Sequence, residues 1–225
     1  MKYLPVTLSP FVKFSAVILS VILVFSMYNT AFSQSLITTV SIQSVSSEYP
    51  TIEATHLLTN DGFGPGTPAT FTNLYITADI WQTLPYQAQG TNWIIFDLGA
   101  NYDLASFHIW NLNFYNSGTN YTGRGISRLT LLTSDNGTTY TSHGTITLNQ
   151  GTGSTSYTGD DFNAPWTNVR YVEFSNLYSF QNGNDDAGHM GLSKVQFSAV
   201  PEPASSTLVI GIGFLATSLF RRRKA

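Results

Sequence analysis

The chain has 225 residues, of which 14% are aromatic and only 10% are charged. Average globular chains carry about 25% charged residues and disordered segments are poor in aromatics, so the composition predicts a folded, weakly charged protein. The absence of cysteine excludes disulfides, thiolate metal sites and a cysteine nucleophile. Residues 34–200 hold four basic and twelve acidic side chains, a formal net charge of −8, which argues against nucleic acid as a partner.

The first 33 residues have the pattern of a secretory signal peptide. Two lysines flank an apolar run at 14–27, and Ala31 and Ser33 are small residues at the positions that a signal peptidase reads. The alternative is an uncleaved membrane anchor, but the run is short of the ~20 residues that a span needs. We therefore expect signal peptidase to cleave after Ser33, which makes Gln34 the new N-terminus.

Residues 34–199 predict one all-β domain. Short segments rich in β-branched and aromatic residues recur between turn signals, and no long stretch shows a helical apolar period. The dipeptide Asn136-Gly137 is a strong hairpin signal. Many short strands without helices predict an antiparallel sandwich or barrel. The predicted strands are 37–42, 93–98, 106–112, 127–133, 144–148, 169–174 and 192–197.

Five segments of this domain resemble, in order and spacing, the discoidin or coagulation factor type C family. They are the W-x-x-x-D-L-G strand at 93–99, the next strand at 107–111, the S-x-D-G-like hairpin at 131–140, the R-Y-V strand at 169–174 and the closing strand at 191–197. The resemblance implies an antiparallel jelly-roll β-sandwich of the galactose-binding type. In that fold, loops at one end bind the ligand.

The resemblance also implies a structural calcium ion, in the loop where Asn60 and Asp61 could supply oxygen ligands. The closing strand of the family usually gives a glutamate to that ion, whereas Lys194 stands there in this chain. Three alternatives stay open. Lys194 replaces the ion and pairs with Asp61, or Lys194 extends into solvent while Asp61 shapes a turn, or calcium is retained.

Two irregular stretches, 77–90 and 113–125, correspond to the ligand-binding loops of the family. A sugar site needs an aromatic platform and a few polar groups. For Trp81, packing in the core is an alternative that we favour over stacking on a ligand. The candidate ligand-binding residues are Trp81, Tyr115, Asn116 and Arg124.

The other three tryptophans have different expected places. Trp93 is expected in the core. Trp110 shares strand parity with His108 and is expected on an outer face or at a loop edge. Trp166 follows a proline and is expected to plug a loop.

No catalytic residue is predicted. The pairs Asp160-Asp161 and Asp185-Asp186 are adjacent in sequence, and neighbours in an extended chain point apart. The histidines lack metal-binding spacing, and no G-x-S-x-G nucleophile elbow occurs. We therefore expect the protein not to be an enzyme.

Residues 200–225 resemble the PEP-CTERM sorting signal of exported bacterial proteins. A Pro-Glu-Pro triplet, an apolar helix and a basic cluster follow one another at the C-terminus. Residues 207–220 would span about 21 Å as a helix, which is short for a ~30 Å hydrocarbon core. The residues concerned are Pro201, Glu202 and Pro203 in the triplet and Arg221, Arg222 and Arg223 in the cluster.

This second resemblance implies a transient anchor in the inner membrane and cleavage by an exosortase near the triplet. We expect an exported module that binds carbohydrate or exopolysaccharide at the cell surface or outside the cell, without catalysis. The first alternative is a structural or adhesive matrix protein with protein partners, and the second is a polysaccharide hydrolase or lyase. No cofactor is expected apart from the possible calcium ion.

Overall fold

The computed structural model describes residues 34–59, 80–116, 118–180 and 188–201. The predicted signal peptide, Asn60, Asp61 and the chain from Glu202 onward lie outside these residues. No helix in the described part of the chain is both long and apolar enough to cross a membrane.

Within the described residues the chain forms twelve strands and two short 3₁₀ helices, at Ala54–Leu58 and Thr122–Arg124. The strands are β1 (Ser35–Leu36), β2 (Ser41–Val45), β3 (Trp81–Gln82), β4 (Ile94–Tyr102), β5 (Leu104–Asn111), β6 (Tyr115–Asn116), β7 (Thr119–Asn120), β8 (Ile126–Ser134), β9 (Thr141–Thr147), β10 (Asp160–Asn163), β11 (Val169–Ser179) and β12 (Gly191–Ala199).

Two antiparallel sheets make up the fold, which confirms the predicted all-β sandwich. One sheet has the order β2-β4-β11-β8-β9, and the other has β1-β12-β5-β10 with β3 paired to β12. Strands β6 and β7 form a separate small hairpin. The core lies between the sheets, where Phe96 of the first sheet meets Phe197 of the second at a ring separation of 5.3 Å.

Because apolar and polar residues alternate along a strand, apolar side chains face the core and polar ones face outward. In β8, Leu129 and Leu131 are buried while Arg128 is exposed, as the period of two predicts. All seven predicted strands overlap one observed strand each, and the one at 37–42 does so only at Ser41 and Ile42 of β2. The prediction at 37–42 was wrong in its middle, because the chain leaves β12 after Ile37 and crosses to the other sheet before β2 begins.

The two ends of the sandwich differ. At the turn end, Asp103 alone joins β4 to β5, and short turns at 135–140 and 164–168 join the other strands. The first and last strands of the described chain also meet there, since Ser35 pairs with Ala199. At the opposite loop end, long segments follow β2, β5, β9 and β11. Among the described residues, the loop end therefore carries most of the irregular chain.

The burial of two tryptophans differs from what the sequence predicted. Trp93 is only half-buried, because Ile94 and Phe96 of the same strand take the core-facing positions. Trp110 lies outside the main core as expected, but it is fully buried, with Tyr157 and with the ring of His108 at 3.9 Å. Trp166 packs against the core, as predicted for a plug.

Candidate functional site

One buried amide shapes the loop that follows β5. The Asn111 Oδ1 atom accepts hydrogen bonds from the backbone N–H of Leu112 at 2.9 Å and of Ile126 at 2.8 Å. Its Nδ2 donates to the carbonyls of Ile126 at 2.7 Å and Asn149 at 2.9 Å. A single side chain therefore ties together both ends of the 112–125 loop and the start of the next loop.

The 149–159 segment packs beside this loop through further buried contacts. The Asn113 amide accepts from Gly153 N at 2.6 Å and donates to Ser154 O at 2.7 Å. The Tyr157 hydroxyl accepts from Asn111 N at 3.2 Å, and burial is the largest cause that raises the pKa of this phenol. These contacts give the loop end a fixed shape.

A cation stacked on aromatic rings lies in the 112–125 loop. The Tyr121 ring stacks on Phe114 with centroids 5.0 Å apart, and the Arg124 guanidinium lies 4.5 Å from the Tyr121 centroid. The Arg124 Nη1 atom also donates to Gln82 Oε1 at 3.3 Å, which brings β3 to the same place. A guanidinium held over a ring and hydrogen-bonded in this way has a fixed place for recognition of a polar ligand.

A neutral histidine lies close to this cation. The His189 Nδ1 atom is 2.8 Å from the Thr83 carbonyl, so the ring proton belongs on Nδ1 and Nε2 can accept a hydrogen bond. Burial, more than any other cause, lowers the pKa of His189, and the positive charge of Arg124 lowers it further against the opposing effect of the Thr83 bond. The edge of the Tyr49 ring meets this histidine at a centroid distance of 5.7 Å.

The structure places the four predicted ligand residues differently. Tyr115 is 39% exposed in β6 and lies beside Gly153, while Arg124 lies against Tyr121 and Gln82. The Asn116 side chain is outside the described part of the chain. Trp81 is fully buried in the core, so the core alternative describes it and a ligand cannot stack on its ring.

Sequence reasoning missed Tyr49, Gln82, Tyr121 and His189. These residues come from four separate segments, and their proximity depends on the pairing of β3 with β12. A two-residue strand carries no periodic pattern. The only available signal was the concentration of tyrosines in irregular segments, to which the exposed Tyr86 also belongs.

The acidic pairs do not form a shared acid–base site among the described residues. Asp160 accepts a hydrogen bond from Asn149 N at 3.0 Å, whereas Asp161 lies 2.6 Å from Nδ1 of His108. The pair Asp185-Asp186 lies outside the described part of the chain.

The implied calcium ion does not fit the described residues around Lys194. This side chain is 1% exposed, and its Nζ donates to the Thr59 carbonyl. The alternative in which Lys194 extends into solvent is therefore wrong. An ammonium on that carbonyl occupies an oxygen of the kind that calcium would need, and it repels a cation. Pairing with Asp61 stays a prediction, because that residue is outside the described chain.

Comparisons with known proteins support two parts of the sequence interpretation, the sorting motif and the sandwich fold. Residues 199–224 match the PEP-CTERM protein-sorting motif. A search of curated proteins gave no match. The sandwich is similar to CBM32-3, from a family 31 glycoside hydrolase of Clostridium perfringens, with a TM-score of 0.52 and 16% identity over 76% of this chain and 99% of that one.

Two further solved structures show weaker similarity. The family 32 CBM of C. perfringens NanJ, in complex with galactose, has a TM-score of 0.49 at 12% identity over 74% of this chain and 99% of that one. An F5/8 type C domain from Bacteroides fragilis has a TM-score of 0.48 and 13% identity over 75% of this chain and 98% of that one. The chain thus joins an antiparallel β-sandwich with the fold of family 32 carbohydrate-binding modules to a C-terminal PEP-CTERM protein-sorting motif.

Proposed function

We propose that this protein is an exported, non-catalytic carbohydrate-binding module whose ligand is an extracellular polysaccharide or glycan. The observation that carries the proposal is the stack of Phe114, Tyr121 and Arg124 at the loop end, with Gln82 and His189 beside it. The support is chemical and comes from the side chains that meet there.

A sugar presents an apolar ring face and a set of hydroxyl groups. Exposed tyrosines such as Tyr115 and Tyr49 offer surfaces for the ring face. The Arg124 guanidinium donates hydrogen bonds to hydroxyl oxygens, and Nε2 of neutral His189 accepts one from a hydroxyl proton. The combination of both donor and acceptor next to aromatic rings favours a polyol over a purely anionic ligand.

The start of the sorting motif and the loop end lie at opposite ends of the domain. The motif begins at residue 199, and Val200 N donates to the Asp103 carbonyl at the turn end. A chain held by its C-terminal tail would therefore direct the loop end away from the attachment point. We propose that signal peptidase removes residues 1–33, that the tail anchors the chain transiently in the inner membrane, and that an exosortase then releases it to the surface.

The contacts of three described aspartates support a binding role rather than catalysis. Asp97 receives two hydrogen bonds from Arg170, at 3.0 and 3.1 Å. Asp160 and Asp161 are engaged by Asn149 and His108. Carboxylates held in such contacts serve the fold, whereas glycoside hydrolysis needs two that flank the scissile bond.

A matched pair of arginine variants tests the proposal. Arg124 at the loop end and Arg128 on the outer face of the first sheet both stack on a tyrosine, at 4.5 and 3.9 Å. We expect the full-length chain in mild detergent to bind glycans on an array. Arg124→Ala should weaken the strongest interaction about tenfold or more, because a hydrogen bond from a charged donor is lost. Arg128→Ala should leave the affinity unchanged.

Three results would contradict the proposal. An array without binding, including exopolysaccharide from the producing cells, would favour the matrix-protein alternative. Release of reducing ends from such a polymer would instead indicate a hydrolase. Equal losses from Arg124→Ala and Arg128→Ala would show that the loop end is not the site.

A further inference from the structure

A buried charge stands on β12 of the second sheet. Lys194 is the single lysine between residues 34 and 200, and it is among the largest fully buried side chains. An ammonium removed from water is costly unless it is paired and hydrogen-bonded. The Thr59 carbonyl supplies a hydrogen bond, so the side chain has a fixed place rather than a solvated one.

This contact fastens one segment of the loop end to β12. Thr59 directly follows the 3₁₀ helix Ala54–Leu58, in which Ala54 and Leu57 are buried. The carbonyl groups at the end of a helix lack intrahelical partners and carry partial negative charge. A cation from β12 therefore satisfies the helix end and holds it against the sheet.

The fastened segment in turn holds a residue of the candidate site. The His56 Nδ1 atom lies 3.2 Å from the Ile80 carbonyl, and Gln82 N donates to the Ile52 carbonyl at 3.2 Å. Gln82 is the acceptor for Arg124. A continuous set of contacts thus runs from Lys194 through residues 52–59 to β3 and the stacked guanidinium.

We infer that Lys194 is a built-in cation that fastens the loop end in place of a metal ion, so that the domain is stable and binds its ligand without calcium. The carbonyl that would be offered to a hard cation is occupied by the ammonium, and a second positive charge beside it would be repelled. The part about binding rests on the proposed function. The part about stability does not.

Thermal melting of the full-length chain, with a calcium chelator or with millimolar calcium, tests the inference without any glycan. The wild-type Tm should be the same in both conditions. Lys194→Glu should lose stability in chelator and regain it in calcium, because a carboxylate then joins the Thr59 carbonyl as a ligand. The expected rise is roughly 5–10 °C at a calcium concentration about a hundredfold above the Kd.

Arg128→Glu is the control, since it makes the same change in charge on an exposed arginine of the other sheet. Its Tm should not respond to calcium. Lys194→Met keeps the aliphatic stem without the charge, and it should melt below wild type equally in both conditions. This variant decides the matter if Lys194→Glu does not fold.

Either of two outcomes would overturn the inference. A wild-type Tm that falls in chelator would show that a calcium ion is retained. A Lys194→Met chain as stable as wild type would show that the ammonium fastens nothing. Failure of glycan binding alone would leave both melting results unchanged, so the two proposals fail separately.

Discussion

The two ends of the sandwich are built by different means. At the turn end, the turn between β8 and β9 is closed by local contacts. The Asn136 carboxamide oxygen accepts from Thr138 N at 2.9 Å and Thr139 N at 3.0 Å, within one turn. At the loop end, Asn111 reaches Ile126 and Asn149, which are 15 and 38 residues away in the chain. That turn is thus shaped by neighbours in sequence and the loop end by neighbours in space.

The two ends also differ in what they offer to a ligand. The turn end has an open cleft of about 380 Å³, lined by hydroxyl and amide residues with Asp135 and Val169 and without an aromatic ring. The loop end has three exposed tyrosines, Tyr49, Tyr86 and Tyr115, and a stacked arginine. Size alone would favour the cleft, but a sugar platform needs rings. The end that buried amides stabilise is therefore also the end that carries the rings a sugar site needs.

Replacing the central amide should have the largest effect. Asn111→Ala removes four hydrogen bonds and leaves the buried backbone groups of Leu112 and Ile126, and the partly buried Asn149 carbonyl, without this partner. Each such group costs about 1–3 kcal/mol, though the costs do not add fully. We expect the free energy of unfolding to fall by about 3 kcal/mol or more, as measured by urea denaturation.

An amide at the turn end provides the control. Asn101 is exposed and donates to Asn168 Oδ1 at 2.8 Å. Asn101→Ala should change the free energy of unfolding by less than about 0.5 kcal/mol. Similar losses from Asn101→Ala and Asn111→Ala would break the contrast between the two ends.

The sequence predicted the sandwich well because its long strands have recognisable local sequence patterns. β8 and β11 have apolar periodicity, and Asn136-Gly137 marks the turn between β8 and β9. Gly137 takes a φ of +73°, which few other residues adopt. Such signals need no knowledge of distant residues.

The rest depended on tertiary contacts that no local pattern reveals. β10 contains two adjacent aspartates and forms a strand only because the edge of β5 offers partners. The loops indicated Tyr115 and Arg124, but not that Gln82 and His189 would join Arg124. Trp81 looked like a loop aromatic and entered the core because the two residues of β3 pair with β12.

Removing one hydroxyl from the same network should have a smaller effect. Tyr157→Phe keeps the ring beside Trp110 but deletes the hydroxyl that contacts Asn111 N and the Asn149 carbonyl. We expect a loss of about 1–2 kcal/mol in urea denaturation, because one buried donor and one buried acceptor lose a partner.

The matched phenol is Tyr102, whose hydroxyl meets Thr39 in an exposed contact at 3.2 Å. Tyr102→Phe should cost far less than Tyr157→Phe. The reverse order would mean that the loop end does not depend on its buried network.

Acidification should have the smallest effect on stability. It should change ligand binding only through the histidine at the loop end. Burial lowers the pKa of His189 at the loop end and of His143 in β9 below the ordinary value of 6.5. The unfolded chain therefore binds more protons than the folded one just below that value. The stability associated with each neutral ring is complete above about pH 6.5 and is lost as the pH falls towards the folded pKa.

Only one of these histidines should also change ligand binding. A proton on His189 removes the Nε2 acceptor and adds a positive charge near Arg124, whereas His143 lies between Thr133 and Trp166, away from that site. We expect affinity, measured by titration calorimetry, to fall several-fold between about pH 7 and pH 5. His189→Gln should flatten this dependence and His143→Gln should preserve it. If His143→Gln flattens it instead, the pH response belongs to the other end of the sandwich and the assignment of His189 to the site fails.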